Sequence, residues 1–183
     1  MIIALTGTPG TGKTSVSKIL QSKDFEIVDL NKVACEKDFL IGKDEKRDSN
    51  IVDIYRFNSY INEKYSGKKI VIIEGHLSHL LKSVDKVFIL RCHPKKLRKN
   101  LLKKGWIEQK IKENIEAEIL DIILCESMEI HQKDNIFEID VTNKSLNDVS
   151  SSIMEIIDNQ FKIIKKYKIG KIDWSEEILK DFK

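Results

Sequence analysis

Arginine is scarce in this 183-residue chain: Arg47, Arg56, Arg91 and Arg98 are all there is, against abundant lysine. A guanidinium grips phosphate as a fork and an ammonium acts as a point charge, so anion chemistry here rests mainly on lysine. Proline is scarcer still, at two, and no Pro- or Ser-rich linker or internal repeat divides the sequence. At 41% hydrophobic residues the chain can bury one sizeable core, and a single domain spanning 1–183 is expected. Cysteines number three, Cys35, Cys92 and Cys125, odd and scattered. That excludes a disulfide framework and suits reduced thiols. No apolar run is long enough to cross a bilayer. The N-terminus lacks the basic segment and long apolar core of a signal peptide, so no membrane role and a cytoplasmic location are expected. The Lys- and Ile-rich usage fits a hot habitat or an AT-rich genome equally.

Glycine is limited to eight residues, yet three of them fall between positions 7 and 12, in "GTPGTGKT". Gly/Pro clusters ordinarily mark turns, and a plain strand-to-helix link is the bland alternative. The setting favours more. Ile2-Ile3-Ala4-Leu5 precedes it as a short apolar strand, and Val16, Ile19 and Leu20 follow at helical spacing. A strand, a Gly-x4-Gly-Lys-Thr loop and a helix together make a phosphate-binding loop. Amides of the loop and of the helix N-terminus point at an anion, and the helix dipole adds positive potential. Lys13 reaches β- and γ-phosphates in such a loop, and the Thr14 hydroxyl ligates Mg²⁺.

Further strands are expected at 25–28, 70–74, 86–90 and 136–139, with helices at 13–22, 52–65, 94–103, 108–131 and 146–164. The alternation predicts an α/β fold with a five-stranded parallel sheet flanked by helices, and ligands gathered at the strand C-termini. Ile111, Ile115, Ile119 and Ile122–Ile123 read as one core stripe of a single long helix. Residues 38–51 are polar and weakly periodic, long enough to be a binding excursion. The tail from Lys165 is basic and weakly patterned, with Trp174 and Ile178-Leu179 as docking residues.

"IVIIEGH", residues 70–76, is an apolar strand ending in an acid. In phosphate-loop enzymes a carboxylate there holds Mg²⁺ through water or orients the attacking group. Glu74 is accordingly a candidate for metal holding and catalysis, and His76 a catalytic candidate because it lies near the expected γ-phosphate. His79 completes an H-x-x-H that matches no zinc pattern closely, so a polar, satisfied histidine is expected. "TNKSL", 142–146, has Leu where a guanine-binding Asp belongs, which argues against a GTPase. Between Lys95 and Lys112 lie eight basic residues and one acid. They form a solvated helix face, a cationic flap over polyphosphate, or a contact with RNA.

Taken together, "LTGTPGTGKT", "EGHLSHLL", "KKGW…KENIEAEI" and "VTNKSL" resemble adenylate kinase isoenzyme 6 and its archaeal relatives, up to about residue 160. The resemblance implies a P-loop nucleoside-monophosphate kinase fold, ATP and Mg²⁺, AMP as acceptor and a side ATPase activity. It also implies a role in small ribosomal subunit and rRNA maturation through ribosomal protein uS11. By position it assigns Gly10, Gly12, Lys13, Thr14 and Ser15 to the ATP phosphates. Asn143 and Lys144 go to the region of the ATP base, an acceptor segment to about 29–52 and a lid to about 103–113. Two departures stand out. Lys104-Gly105-Trp106 replaces the lid's usual Arg-Gly-Tyr, and Cys35 stands where some members carry an acceptor-side arginine. The leading reading is γ-phosphoryl transfer from ATP to AMP with Lys104 as the lid cation. Its rival is an ATPase assembly factor with incidental kinase activity. A nucleotide-binding adaptor is a third reading, disfavoured by intact Lys13, Thr14 and Glu74.

Overall fold

A computed structural model describes residues 1–45, 49–67, 69–162 and 164–180. Its centre is β1 (Ile2–Gly7), followed by α1 (Lys13–Gln21), β2 (Glu26–Asp29), α2 (Leu30–Glu36), β3 (Leu40–Asp44) and β4 (Ser49–Val52). Then come α3 (Ile54–Tyr65), β5 (Val71–Glu74), β6 (Lys86–Arg91), α4 (Pro94–Lys103), α5 (Glu108–Ile119), α6 (Ile122–Ile130), β7 (Ile136–Asp140) and α7 (Leu146–Asp158). Five strands form one parallel sheet in the order β2-β5-β1-β6-β7.

Burial on both faces explains why these strands are unbroken apolar runs. Successive side chains alternate faces. Ile2, Ala4, Val71, Ile73, Val87 and Ile89 point into one core with Phe57 and Ile61 of α3 and Leu124 of α6. Ile3, Leu5, Ile72, Phe88 and Leu90 point into the other, against Val16 and Leu20 of α1 and Ile153 and Ile156 of α7. The expected fold class is present.

Three local expectations are corrected. Residues 108–131 are two helices, because Asp121 takes a left-handed backbone (φ 54) and breaks the ladder. Arg91 Nη2 donates to the Glu118 carbonyl at 3.1 Å and also binds the Asp121 carboxylate, so it serves the end of α5 in place of the next helical amide. The isoleucine stripe is therefore only partly core: Ile111 is buried, whereas Ile122 and Ile123 line a cleft. The excursion at 38–51 contains an antiparallel β3–β4 pair rather than unpatterned chain, with residues 46–48 outside the described ones. Finally, α7 ends at Asp158, not 164.

The tail docks through residues the sequence reading partly anticipated. Trp174 packs edge-on to His93 with ring centroids 4.9 Å apart, and Tyr167 is buried. Gly170 N donates to Glu138 Oε2 at 2.7 Å. The side chains of Ile178 and Leu179 lie outside the described residues.

All three thiols are free, with Cys35 and Cys125 exposed and Cys92 buried under α4. Burial, with Glu118 and Asp140 nearby, pushes the Cys92 thiol up to about 12. Only thiolate reacts readily. The native protein should therefore label at two thiols with a disulfide reagent at pH 8, the third appearing only in denaturant. Fast labelling of all three would contradict the buried placement of Cys92.

Candidate functional site

β1 delivers its last residue, Gly7, at φ 140, where a Cβ would run into the Leu90 carbonyl oxygen of β6. Only glycine lets the chain turn there at such close approach. The turn ends at Gly12, φ 97, which is the N-cap of α1 and has no side chain to cap it. By contrast Asp29, Asp53, His93 and Ser145 cap α2, α3, α4 and α7 with their side chains. A capping side chain is worth about 1 kcal/mol. At α1 the sequence forgoes it, and the first amides stay directed at the loop cavity, where an anion can take them.

Lys13 opens α1 and folds back over the loop. Its Nζ donates to the carbonyls of Gly7 (2.7 Å) and Thr8 (3.2 Å), and the residue is 7% exposed. An ammonium carries three N–H groups, so one remains for a ligand oxygen. Burial lowers its pKa to about 8, with Glu74 and Glu118 opposing and Lys104 adding to the shift. A polyphosphate seated here would favour the charged form.

One residue on, Thr14 Oγ1 donates to Glu74 Oε1 at 3.2 Å. Glu74 ends β5, beside Leu5 of β1 and Asp29 of β2 in the sheet register. Burial raises its pKa, with Lys13 opposing. A hydroxyl and a carboxylate in contact at the mouth of a phosphate loop are hard oxygen donors suited to Mg²⁺. No bound ion is needed to see that fit: the donors already touch.

His76 follows on the same strand-end turn, and burial beside Lys13 lowers its pKa to about 4. It is neutral at pH 7, able to orient a ligand by hydrogen bonding. His79 is the satisfied histidine expected: its Nδ1 lies 3.1 Å from Thr6 Oγ1 and its Nε2 2.8 Å from Glu126 Oε2.

These residues share one cleft of about 810 Å³, lined among others by Gly10, Gly12, Lys13, Thr14, Ser15, Glu74, His76 and Lys104. That volume suits a nucleotide-sized ligand. Lys104 reaches it from the turn between α4 and α5, with Trp106 and Lys110 beside it. Lys110 Nζ sits 4.8 Å from the centre of the Trp106 ring. Asn143 and Lys144 are elsewhere: both are exposed, and Lys144 Nζ turns to Ser152 Oγ at 3.3 Å and over Tyr167. Their neighbour Leu146 does approach Gly12.

Sequence reasoning missed one cluster behind the loop. Thr8 Oγ1 donates to Glu118 Oε2, while Glu118 Oε1 accepts from Arg91 Nε at 2.8 Å and Cys92 N at 3.1 Å. Arg91 also binds Glu138. All four side chains are buried. A signal did exist, since Arg91 is an arginine inside a strand-like run, but its partners lie 27 or more residues away.

A phosphate loop at the C-terminal end of the central strand of a five-stranded parallel sheet, opening on a nucleotide-sized cleft, defines a P-loop kinase fold. Solved structures agree on that fold. A shikimate kinase from Acinetobacter baumannii in complex with shikimate superposes with a TM-score of 0.60 at 18% identity, covering 87% of this chain and 93% of that one. A thymidylate kinase from Candida albicans gives 0.56 at 13% identity, covering 89% and 94%. A family model described as "AAA domain" matches residues 3–121. Proteins named "Putative adenylate kinase" match along nearly the whole chain. That of Methanocaldococcus jannaschii is 38% identical, covering 97% of this chain and 94% of its own. That of Methanosarcina barkeri is 42% identical, covering 95% and 97%. The chain belongs to this archaeal adenylate kinase family and is nucleoside-monophosphate kinase-like.

Proposed function

We propose that this protein transfers the γ-phosphoryl group of ATP to AMP. The observation that carries the reading is Lys13: a buried ammonium held by two loop carbonyls, next to the Thr14–Glu74 pair and the uncapped start of α1. Phosphoryl transfer needs alignment and charge neutralisation more than covalent help. The loop amides and Lys13 bind the phosphates, and Thr14 and Glu74 would hold Mg²⁺. When bound, the ion would supply charge neutralisation at the polyphosphate. Segment 29–52, which is α2 and the β3–β4 pair, receives AMP. The turn near 103–113 is the lid that excludes water as a competing acceptor. The names of the relatives support AMP, and the separate thiols and absence of a long apolar helix among the described residues fit a cytoplasmic enzyme.

A second reading has its own support. Lys96, Lys99 and Lys103 stand exposed on α4, and lysine or cysteine replaces the arginines the resemblance leads one to expect at 104 and 35. Both features favour an ATPase that drives small-subunit assembly, with rRNA or ribosomal protein uS11 as partner and weak kinase activity. ADP formation from ATP, measured with AMP, with other monophosphates and with none, decides between them. Strong stimulation by AMP supports the kinase; none overturns it.

Lys104 gives a sharper test. If it meets the transferred group only on closure, its charge matters most in the transition state. Lys104→Ala should lower kcat about tenfold at saturating substrates, with less than about threefold change in KM for ATP. Lys104→Arg should match or exceed the parent, because a fork suits phosphate. Parental kcat in both would mark Lys104 as one more solvated lysine.

A further inference from the structure

We propose that Glu118, on α5, is a positioning residue for phosphoryl transfer, acting through Thr8 to hold the loop carbonyl on which Lys13 is seated. The inference rests on the donor-site reading above and goes one step behind it.

Glu118 has two carboxylate oxygens with different tasks. Oε1 faces the scaffold, taking Arg91 Nε and the Cys92 amide. Oε2 takes the Thr8 hydroxyl, 110 residues away in sequence. For the ion pair alone Oε1 suffices, since Arg91 also reaches Glu138, Asp121 and the Glu118 carbonyl. Among the described residues, the hydrogen-bond partner of the second oxygen is Thr8 of the phosphate loop.

Thr8 is where such a tether has most effect. Its own carbonyl accepts from Lys13 Nζ at 3.2 Å, and the Gly7 carbonyl takes the same ammonium at 2.7 Å. The peptide joining Gly7 to Thr8 thus carries one of the two acceptors that aim Lys13, and Thr8 supplies the other. On its N-terminal side Gly7 has φ 140, a region open to glycine, and beyond Pro9 stands Gly10 at φ 95. Backbone flanked by glycines turns easily. Fixing the Thr8 side chain removes that freedom and fixes both carbonyls. Because Thr8 and Glu118 are 3% exposed each, water does not compete for the bond.

The tether also has a direction. α5 places Lys110 and Asn114 along the cleft, and Arg91 grips its C-terminal end. One helix therefore both lines the ligand cleft and holds the loop. A displacement of about 1 Å at a reacting group can cost on the order of a hundredfold in rate.

Thr8→Val keeps the shape and removes only the hydroxyl; Thr8→Ser keeps the hydroxyl. Both should be assayed well below their melting temperatures, by ADP formation from ATP. Thr8→Val should lose about tenfold in kcat with less than about threefold change in KM for ATP, because misaimed Lys13 weakens the transition state more than the bound state. Thr8→Ser should recover at least half of the parental kcat. Glu118→Gln should repeat the Thr8→Val loss; if it fails to fold, the Thr8 pair still decides. The loss should be the same factor with AMP as acceptor and with water, since the tether acts on the donor half. A parent without AMP stimulation would end the kinase reading while leaving this comparison intact. Thr8→Val within twofold of the parent, or Thr8→Ser as slow as Thr8→Val, overturns the proposal and reduces the bond to core packing.

Discussion

Lys13→Ala should lose at least about a thousandfold in ATP turnover while remaining folded. The magnitude follows from what the ammonium supplies. It is a fixed cation in a water-poor pocket, aimed by two carbonyls before any ligand arrives. Preorganised donors of that kind are each worth on the order of a hundred- to a thousandfold. A full charge at a polyphosphate belongs at the upper end. The fold should tolerate the change, since no carboxylate among the described residues depends on Lys13 for a salt bridge. Removing a cation whose burial already depresses its pKa relieves a desolvation cost. The Gly7 and Thr8 carbonyls and buried Glu74 lose a partner at the same time, so melting should shift little, and ATP affinity should fall less than kcat. A variant with turnover within tenfold of the parent would remove Lys13, and with it phosphoryl transfer at this loop, from the account.

Arg91→Ala should have the largest effect on stability. The guanidinium is 2% exposed and joins Glu118, Glu138, Asp121 and a helix-end carbonyl. Deleting one member of a buried pair leaves charge unpaired in low dielectric, at about 3–5 kcal/mol. Typical domains have about 5–15 kcal/mol in all, so the variant should unfold at markedly lower urea. The sign of its pH dependence is fixed as well. Burial raises the Glu138 pKa and Arg91 opposes that rise. Without Arg91 the folded-state pKa climbs further above the unfolded value. The penalty is then fully present above that pKa and shrinks as pH falls through it, where the folded state takes up the proton. Urea midpoints of variant and parent should converge on acidification from pH 7 towards 5. A constant gap across that range would mean that lost packing, not stranded charge, sets the cost.

Much of the phosphate loop's geometry was legible because its signals are local. Gly7, Gly10, Gly12, Lys13 and Thr14 lie within eight residues, and the turn that brings them together needs glycine at those positions whatever the rest of the chain does. β5 and β6 read as strands because a sheet covered on both faces needs no polar alternation. The α5–α6 break was hidden for the opposite reason. Isoleucines continue at helical spacing through Asp121, and what stops the helix is an arginine on a distant strand. Glu118 was invisible for the same cause: on an amphipathic helix it looks like a solvent-facing acid, and only the fold shows that Arg91 faces it. The β3–β4 pair was missed because the core touches it only at one end, through Leu40 and Val52, while Ile41 and Ile51 are exposed and leave no repeating pattern. Asn143 and Lys144 came from resemblance alone, and the cleft's lining does not include them.

The position of Gly7 against the Leu90 carbonyl has a consequence for the order of synthesis. The phosphate loop leaves the ribosome before its walls do, since β1 is an inner strand whose two neighbours are β5 and β6. Until Leu90 has emerged, nothing closes one side of the turn, and until Glu118 follows, nothing ties Thr8. At about 5–20 residues per second the nascent loop waits several seconds for its walls. Through that interval β1 and β2 can present apolar strands but no formed anion cradle. The nucleotide is thus a ligand of a chain already made through Glu118, and its binding reports that the segment from β1 to α5 has been translated and folded.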